Sequence, residues 1–246
     1  MRLMPAERAA VRKTLAIVTG ADGARLDALT ARLFGEYAMC FSDLLTTNRE
    51  PLPRLVRHVG TVVGREYADG LHGAVVSVTA HLGNWDLAGR LLARDSGGIT
   101  HVVVAPEEAR AVEPWVRRDG DGVRFVTRSD PTVSIGLLSA LRRGERVGMQ
   151  GDRALGNRGD VLVPFFGRLA PFPVGPFRLA AAGGAPVVPA FCVLGPDLRY
   201  ELTVCPPLVS RRGSEEDSLR VWVAHLERLV EARPTQWFNF FDIWDP

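Results

Sequence analysis

The stretch GAVVSVTAHLGNWDLAGRLLAR, residues 73–94, sets the reading of this 246-residue chain. Residues 74–79 form a short β-branched run bounded by Gly73 and by His81-Leu-Gly83, the pattern of a buried strand. From Asn84 onward Leu87, Leu91 and Leu92 fall on one side, which is helical spacing. Reading on from this strand–turn–helix unit, 100–105 is a strand, 107–118 a helix, 123–127 a strand, 131–143 a helix and 146–150 a strand. Strands alternating with helices of about 10 to 13 residues predict an α/β fold with a mostly parallel central sheet flanked by helices.

Upstream, 5–18 and 24–45 read as amphipathic helices, the second through Leu26, Leu29, Leu33, Tyr37 and Phe41, and a short helix reaches about His58. Downstream, 164–175 is rich in proline and glycine and reads as a loop. A helix is predicted at 176–182, strands at 186–193 and 200–204, and an amphipathic helix at 214–231. Ser214 and Asp217 resemble a capping box at its start. No repeat or low-complexity linker divides the chain, so 1–246 is taken as one domain: a helical segment at 1–58 and an α/β core at 73–246.

Composition excludes several classes. Hydrophobic residues are 46% and charged residues 24%, enough for a sizeable core and unlike a disordered chain. The net charge of +2 does not argue for nucleic acid. Apolar stretches fall short of the ~20 residues that span a bilayer. The N-terminus carries Arg2, Glu7, Arg8, Arg12 and Lys13 with no apolar run between them, unlike a secretory signal. Cys40, Cys192 and Cys205 are scattered, form no CxxC pair and have no metal-ligand spacing, so they read as reduced thiols.

Chemistry concentrates at His81-Leu-Gly-Asn-Trp-Asp86. Loops at the C-terminal ends of parallel strands are where open α/β sheets place active sites. A histidine there can take the proton of a hydroxyl attacking a thioester, and a carboxylate on its other ring nitrogen fixes the tautomer. Asp86, in the first turn of the helix, is the expected partner. The same residues also admit a plain reading: Asp86 as a first-turn carboxylate, Asn84 as a helix cap, Trp85 as a packed aromatic.

HLGNWD, followed by GDR at 151–153, PFFGRLAPFPVGPFRLAAAGGAPVVP at 164–189 and the terminus PTQWFNFFDIW, resembles the bacterial lipid A biosynthesis acyltransferase family. That family includes lauroyl and myristoyl transferases and the mycobacterial phosphatidylinositol mannoside acyltransferase, and shares a His-x4-Asp motif with glycerolipid acyltransferases. The resemblance implies His81 as general base, Asp86 as its charge-relay partner, and Asn84 and Trp85 inside the first motif. It places Asp152 and Arg153 in a second motif, Arg128 as a basic residue near donor or acceptor, and Phe165, Phe166 and Gly167 in the segment that follows. Glu107 falls where the mycobacterial relatives approach the acceptor sugar. Within GDR, Asp152 is expected to hold the loop and Arg153 to face a thioester or donor phosphate.

Two features depart from the family: GDR replaces the usual Asp-x-Asp, and Asp242 and Asp245 replace a histidine and an arginine. The acceptor implied is therefore a glycolipid, lipid or secondary-metabolite hydroxyl. The donor is acyl-coenzyme A or acyl carrier protein, with no cofactor and no metal. The expected location is cytoplasmic, or peripheral at the inner face of the plasma membrane, docked through the 5–18 helix and the aromatic tail. Two rivals use the same residues: a thioester or lipid hydrolase acting on water, and a non-catalytic lipid-binding protein at the membrane surface. No Gly-x-Ser-x-Gly elbow supports a serine hydrolase.

Overall fold

A computed structural model describes residues 4–47, 50–96, 98–105, 120, 122–156 and 159–245. Seven strands form one sheet in the order β1-β9-β8-β2-β5-β3-β4. They are β1 (Val59–Val63), β2 (Val75–Thr79), β3 (Thr100–Val104), β4 (Val123–Thr127), β5 (Arg146–Gln150), β8 (Val187–Leu194) and β9 (Tyr200–Val204). Every pairing is parallel except β8 with β9. That antiparallel pair is joined by a tight reversal, Gly195 N–H bonding Arg199 O at 2.7 Å.

The described helices are α1 (Pro5–Thr19), α2 (Gly23–Thr47), α3 (Leu52–Leu55), α4 (Arg65–Asp69), α5 (Trp85–Ser96), α6 (Val133–Arg142), α7 (Gly175–Gly183) and α8 (Glu215–Ala232). The period-2 alternation of the central strands divides them between the two faces of the sheet. Val76 and Val78 of β2 and Phe191 and Val193 of β8 join the core with α6, α7 and α8. Cys192 and Leu194 of β8 join the other core, built with α1, α2 and α5. The helical segment at the N-terminus thus covers the same sheet as the rest of the chain. Ser214 does not cap α8; its hydroxyl bonds Arg211 O, and Glu215 takes the Gly213 N–H.

Three departures from the sequence reading have physical reasons. The 164–175 segment is not a loop: β6 (Asp160–Phe165) and β7 (Arg168–Pro173) form an antiparallel hairpin. Phe166 (φ 49°) and Gly167 (φ 73°) make its two-residue turn, with both φ values positive as a right-twisted hairpin prefers. Pro164, Pro171 and Pro173 fall in every other cross-strand pair, positions where an antiparallel ladder exchanges no N–H bonds. β1 and α4 occupy 59–69, where half-exposed edge positions carry no strong periodicity. The aromatic tail is largely interior, with Trp237, Phe238 and Ile243 at most 1% exposed. The helix expected at 107–118 lies outside the described residues.

Trp222 anchors the α8 side. It is fully buried, donates its indole N–H to Val78 O at 3.0 Å, and meets the rings of Phe172, Phe177 and Phe191 at 6.0–6.5 Å. Trp222→Ala is expected to cost about 3–5 kcal/mol, the range for deleting a buried aromatic. Urea unfolding measures this as a lower midpoint at unchanged slope; a midpoint within experimental error of wild type refutes it.

Candidate active site

β2 and β5 are neighbours in parallel register, so the loops leaving their C-terminal ends lie side by side. One presents His81, the other Asp152. His81 Nδ1 lies 2.8 Å from Asp152 Oδ1, and the His81 backbone N–H donates to Asp152 Oδ2 at 2.9 Å. The Trp237 indole N–H donates to the same Oδ2 at 3.0 Å. His81 is 8% exposed and Asp152 2%. With Nδ1–H turned to the carboxylate, the lone pair of the neutral ring sits on Nε2, which has no hydrogen bond among the described residues.

The carboxylate on the imidazole Nδ1 is therefore Asp152, where the sequence reading expects Asp86. Asp86 occupies the first turn of α5, which carries it along the sheet face and into a slot lined by Trp85, Gly89, Ser77, Thr79, Gln150 and Val102. The slot is predominantly apolar and has a volume of about 50 Å³. At ~10–15 Å³ per water this is room for a few water-sized groups, not a long acyl chain. Burial pushes the Asp152 carboxyl up. The His81 charge and hydrogen bond, the adjacent Arg153 and the Trp237 N–H outweigh it, and the pKa is lowered to about 2.

The other candidates divide between framework and mouth. Asn84 is 3% exposed, and its Oδ1 accepts the Leu87 N–H at 3.1 Å, a helix N-cap. Trp85 meets the His81 ring edge-on, centroids 5.0 Å apart. Phe165 is fully buried, packed on Phe172 and Trp237, each at 5.4 Å. Phe166 and Gly167 form the hairpin turn, and the Phe166 N–H bonds Glu227. Arg153 is exposed, its guanidinium over the Phe241 ring at 5.7 Å. Its surroundings lower its pKa by desolvation; the Asp152 charge opposes this and the Arg128 charge adds to it. Arg128, exposed at the end of β4, thus lies close enough to act on Arg153. Glu107 lies outside the described residues. No cluster of His, Cys, Asp or Glu able to hold a metal occurs among the described residues.

Sequence reasoning did not single out Gln236, Trp237 and Phe238. Gly83 N–H bonds Gln236 O at 2.9 Å, and Phe238 N–H bonds His81 O at 2.7 Å. The Gln236 side chain bonds both N and O of Leu194 at 2.7 Å. They lie in the terminus PTQWFNFFDIW that carries part of the resemblance, but their contact with the His81 loop joins segments about 150 residues apart and is not a sequence pattern.

The chain matches the family described as bacterial lipid A biosynthesis acyltransferase over residues 7–245. A phosphatidylinositol mannoside acyltransferase of Mycobacterium tuberculosis (strain ATCC 25618 / H37Rv) is 28% identical over 247 residues, 95% of this chain and 76% of the relative. The protein of the same name from Mycolicibacterium smegmatis is 27% identical over 179 residues, covering 72% and 58%. A crystal structure of the 1-acyl-sn-glycerophosphate acyltransferase PlsC from Thermotoga maritima overlaps 94% of this chain and 96% of its own, with a TM-score of 0.45 and 17% identity.

The Asp152 shift has a consequence for acid stability. The carboxyl titrates near 3.8 when unperturbed and lower in the fold. Its ionised form thus adds stability that is complete above about pH 4 and is lost as pH falls towards 2. Asp152→Asn is expected to melt well below wild type at about pH 6, with the gap narrowing by about pH 2.5. A gap independent of pH would show that the charge is not its source.

Proposed function

This chain belongs to the bacterial lipid A biosynthesis acyltransferase family, and we propose that it is an O-acyltransferase moving a fatty acyl group from a thioester to a lipid, glycolipid or secondary-metabolite hydroxyl. The observation that carries this reading is the His81–Asp152 pair at adjacent strand ends, Nδ1 bonded to a buried carboxylate and Nε2 open. The donor is acyl-coenzyme A or acyl carrier protein. A sugar-bearing lipid acceptor is suggested by the relatives named phosphatidylinositol mannoside acyltransferase.

In this mechanism Nε2 takes the proton of the acceptor hydroxyl as its oxygen attacks the thioester carbonyl carbon. The new C–O bond gives a tetrahedral oxyanion, stabilised by backbone N–H groups or by Arg153. The C–S bond then breaks, and the departing sulfur receives the proton from Nε2. Asp152 remains ionised and stabilises the imidazolium between the two transfers. Arg153 and Arg128 together offer donors suited to phosphate groups on either substrate. Asp86, beside Trp85 in the slot, supplies a second carboxylate near the reacting centre. Contact with a lipid acceptor would take place at a membrane surface, since no helix among the described residues is long and apolar enough to cross one. The interior placement of the tail leaves α1 and the rim of the site as the surfaces for such contact.

Thiol release from acyl-coenzyme A, measured with and without candidate acceptors, tests the reading. Acceptor-dependent release is expected. Free fatty acid without acceptor would make the protein a hydrolase, and no release with any donor would make it a binding protein. His81→Ala should lower turnover ~10²–10⁴-fold, the range for a general base. Asp152→Asn should cost more than Asp86→Asn, because Asp152 bonds the ring at Nδ1. Near-normal transfer by His81→Ala removes the mechanism; the reverse order of the two aspartates reassigns the partner.

A further inference from the structure

Asp152 is held by groups from two distant parts of the chain. His81 uses one carboxylate oxygen through its ring, and the other oxygen accepts from the His81 backbone and from the Trp237 indole. Without the indole, Oδ2 would be tied only to the loop that carries the histidine itself. The carboxylate plane would then turn with that loop instead of being fixed against it. Trp237 is itself immobile: 1% exposed, its ring 5.4 Å from that of Phe165, its backbone bridged to Leu82. The residues on either side of it hold the backbone of the same loop at Gly83 and His81.

We propose that Trp237 is a positioning residue for acyl transfer, its indole N–H fixing the Asp152 carboxylate so that Oδ1 faces His81 Nδ1. The proposal rests on the acyltransferase reading above and adds a residue that acts through Asp152 without touching substrate. The alternative is a core tryptophan whose hydrogen bond only satisfies its own buried N–H. The two differ in what they do to the base. Loss of the indole donor leaves the Asp152 carboxylate more basic and more strongly attracted to the imidazolium that forms during transfer. Arg153, next to Asp152 in the chain, also bears on the carboxylate, Arg128 acts on Arg153 in turn, and Asp86 on α5 lines the neighbouring slot. None of them is altered by a change at Trp237.

Trp237→Phe keeps the aromatic volume and removes the donor. In the full chain it is expected to lower kcat by roughly 10–100-fold, as for a hydrogen bond to a charged group, with KM nearly unchanged. The acidic limb of the kcat–pH profile should move to higher pH. A packing role would instead lower the melting temperature and leave the pH profile of the folded protein in place. If His81→Ala is inactive while Trp237→Phe has wild-type kcat and pH profile, the positioning role is wrong and the acyltransferase reading stands; if His81→Ala is active, the reading itself fails. Should Trp237→Phe not fold, the indole resonances decide. Of the five tryptophans, one N–H signal in 15N-labelled protein should lie downfield of the rest and shift upfield in Asp152→Asn. Five indole signals that do not respond to that substitution overturn the proposal.

Discussion

A carboxylate that is 2% exposed has given up most of its hydration and keeps its charge only if protein donors replace the lost water. Asp152 meets that condition with three donors: the ring and the backbone of His81 and the indole of Trp237. Each fixes a different part of the chain. The β5 exit is tied to the β2 exit, and both are tied to the C-terminal segment, which runs back across the sheet after α8. The net effect, a carboxyl lowered to about 2 despite burial, measures how fully those donors compensate. Remove the carboxylate and three segments lose a shared acceptor.

The loop that carries His81 has little freedom to adjust. Gly83 adopts φ +58°, and a Cβ there would sit 2.1 Å from Cys192 O. The backbone passes that close because Gly83 and Asn84 pair with β8, Asn84 N–H bonding Cys192 O at 3.0 Å. Only glycine allows both the left-handed turn and the contact. Asn84 then starts α5 by capping its first turn. The motif HLGNWD is thus largely structural in its middle: a glycine that lets the chain approach the sheet and an asparagine that turns it into a helix. Its chemistry is concentrated in the histidine.

Most of the framework was legible in the sequence for this reason. The strands at 75–79, 100–104 and 123–127 announce themselves through β-branched residues between turn residues, the one at 146–150 by its place after a helix in the alternation, and α1, α2, α5 and α8 through helical periodicity. The β6–β7 hairpin does not, because a segment rich in proline and glycine reads as a loop, although these prolines occupy only the pairs that need no N–H. The choice of Asp86 over Asp152 has a related cause. Five residues of separation made Asp86 the nearer carboxylate along the chain. Adjacency of β2 and β5 in the sheet brings Asp152 onto the imidazole. Strand order, which sequence pattern does not specify, decides the partner.

The two faces of the sheet are packed differently, and the difference falls on the two sides of the site. Behind Asp152, Trp222, Phe172, Phe177 and Phe191 fill the space with rings. Behind Trp85 and Asp86, the sheet offers Ser77, Gly148 and Ala190 to Ala88 and Gly89 of α5, and a slot remains. Small side chains leave that slot open, while Leu87 and Leu91 of the same helix are buried in the core shared with α1 and α2. The carboxylate–imidazole pair is held from the ring-filled face through Trp237, and the opening beside it lies between α5 and the sheet.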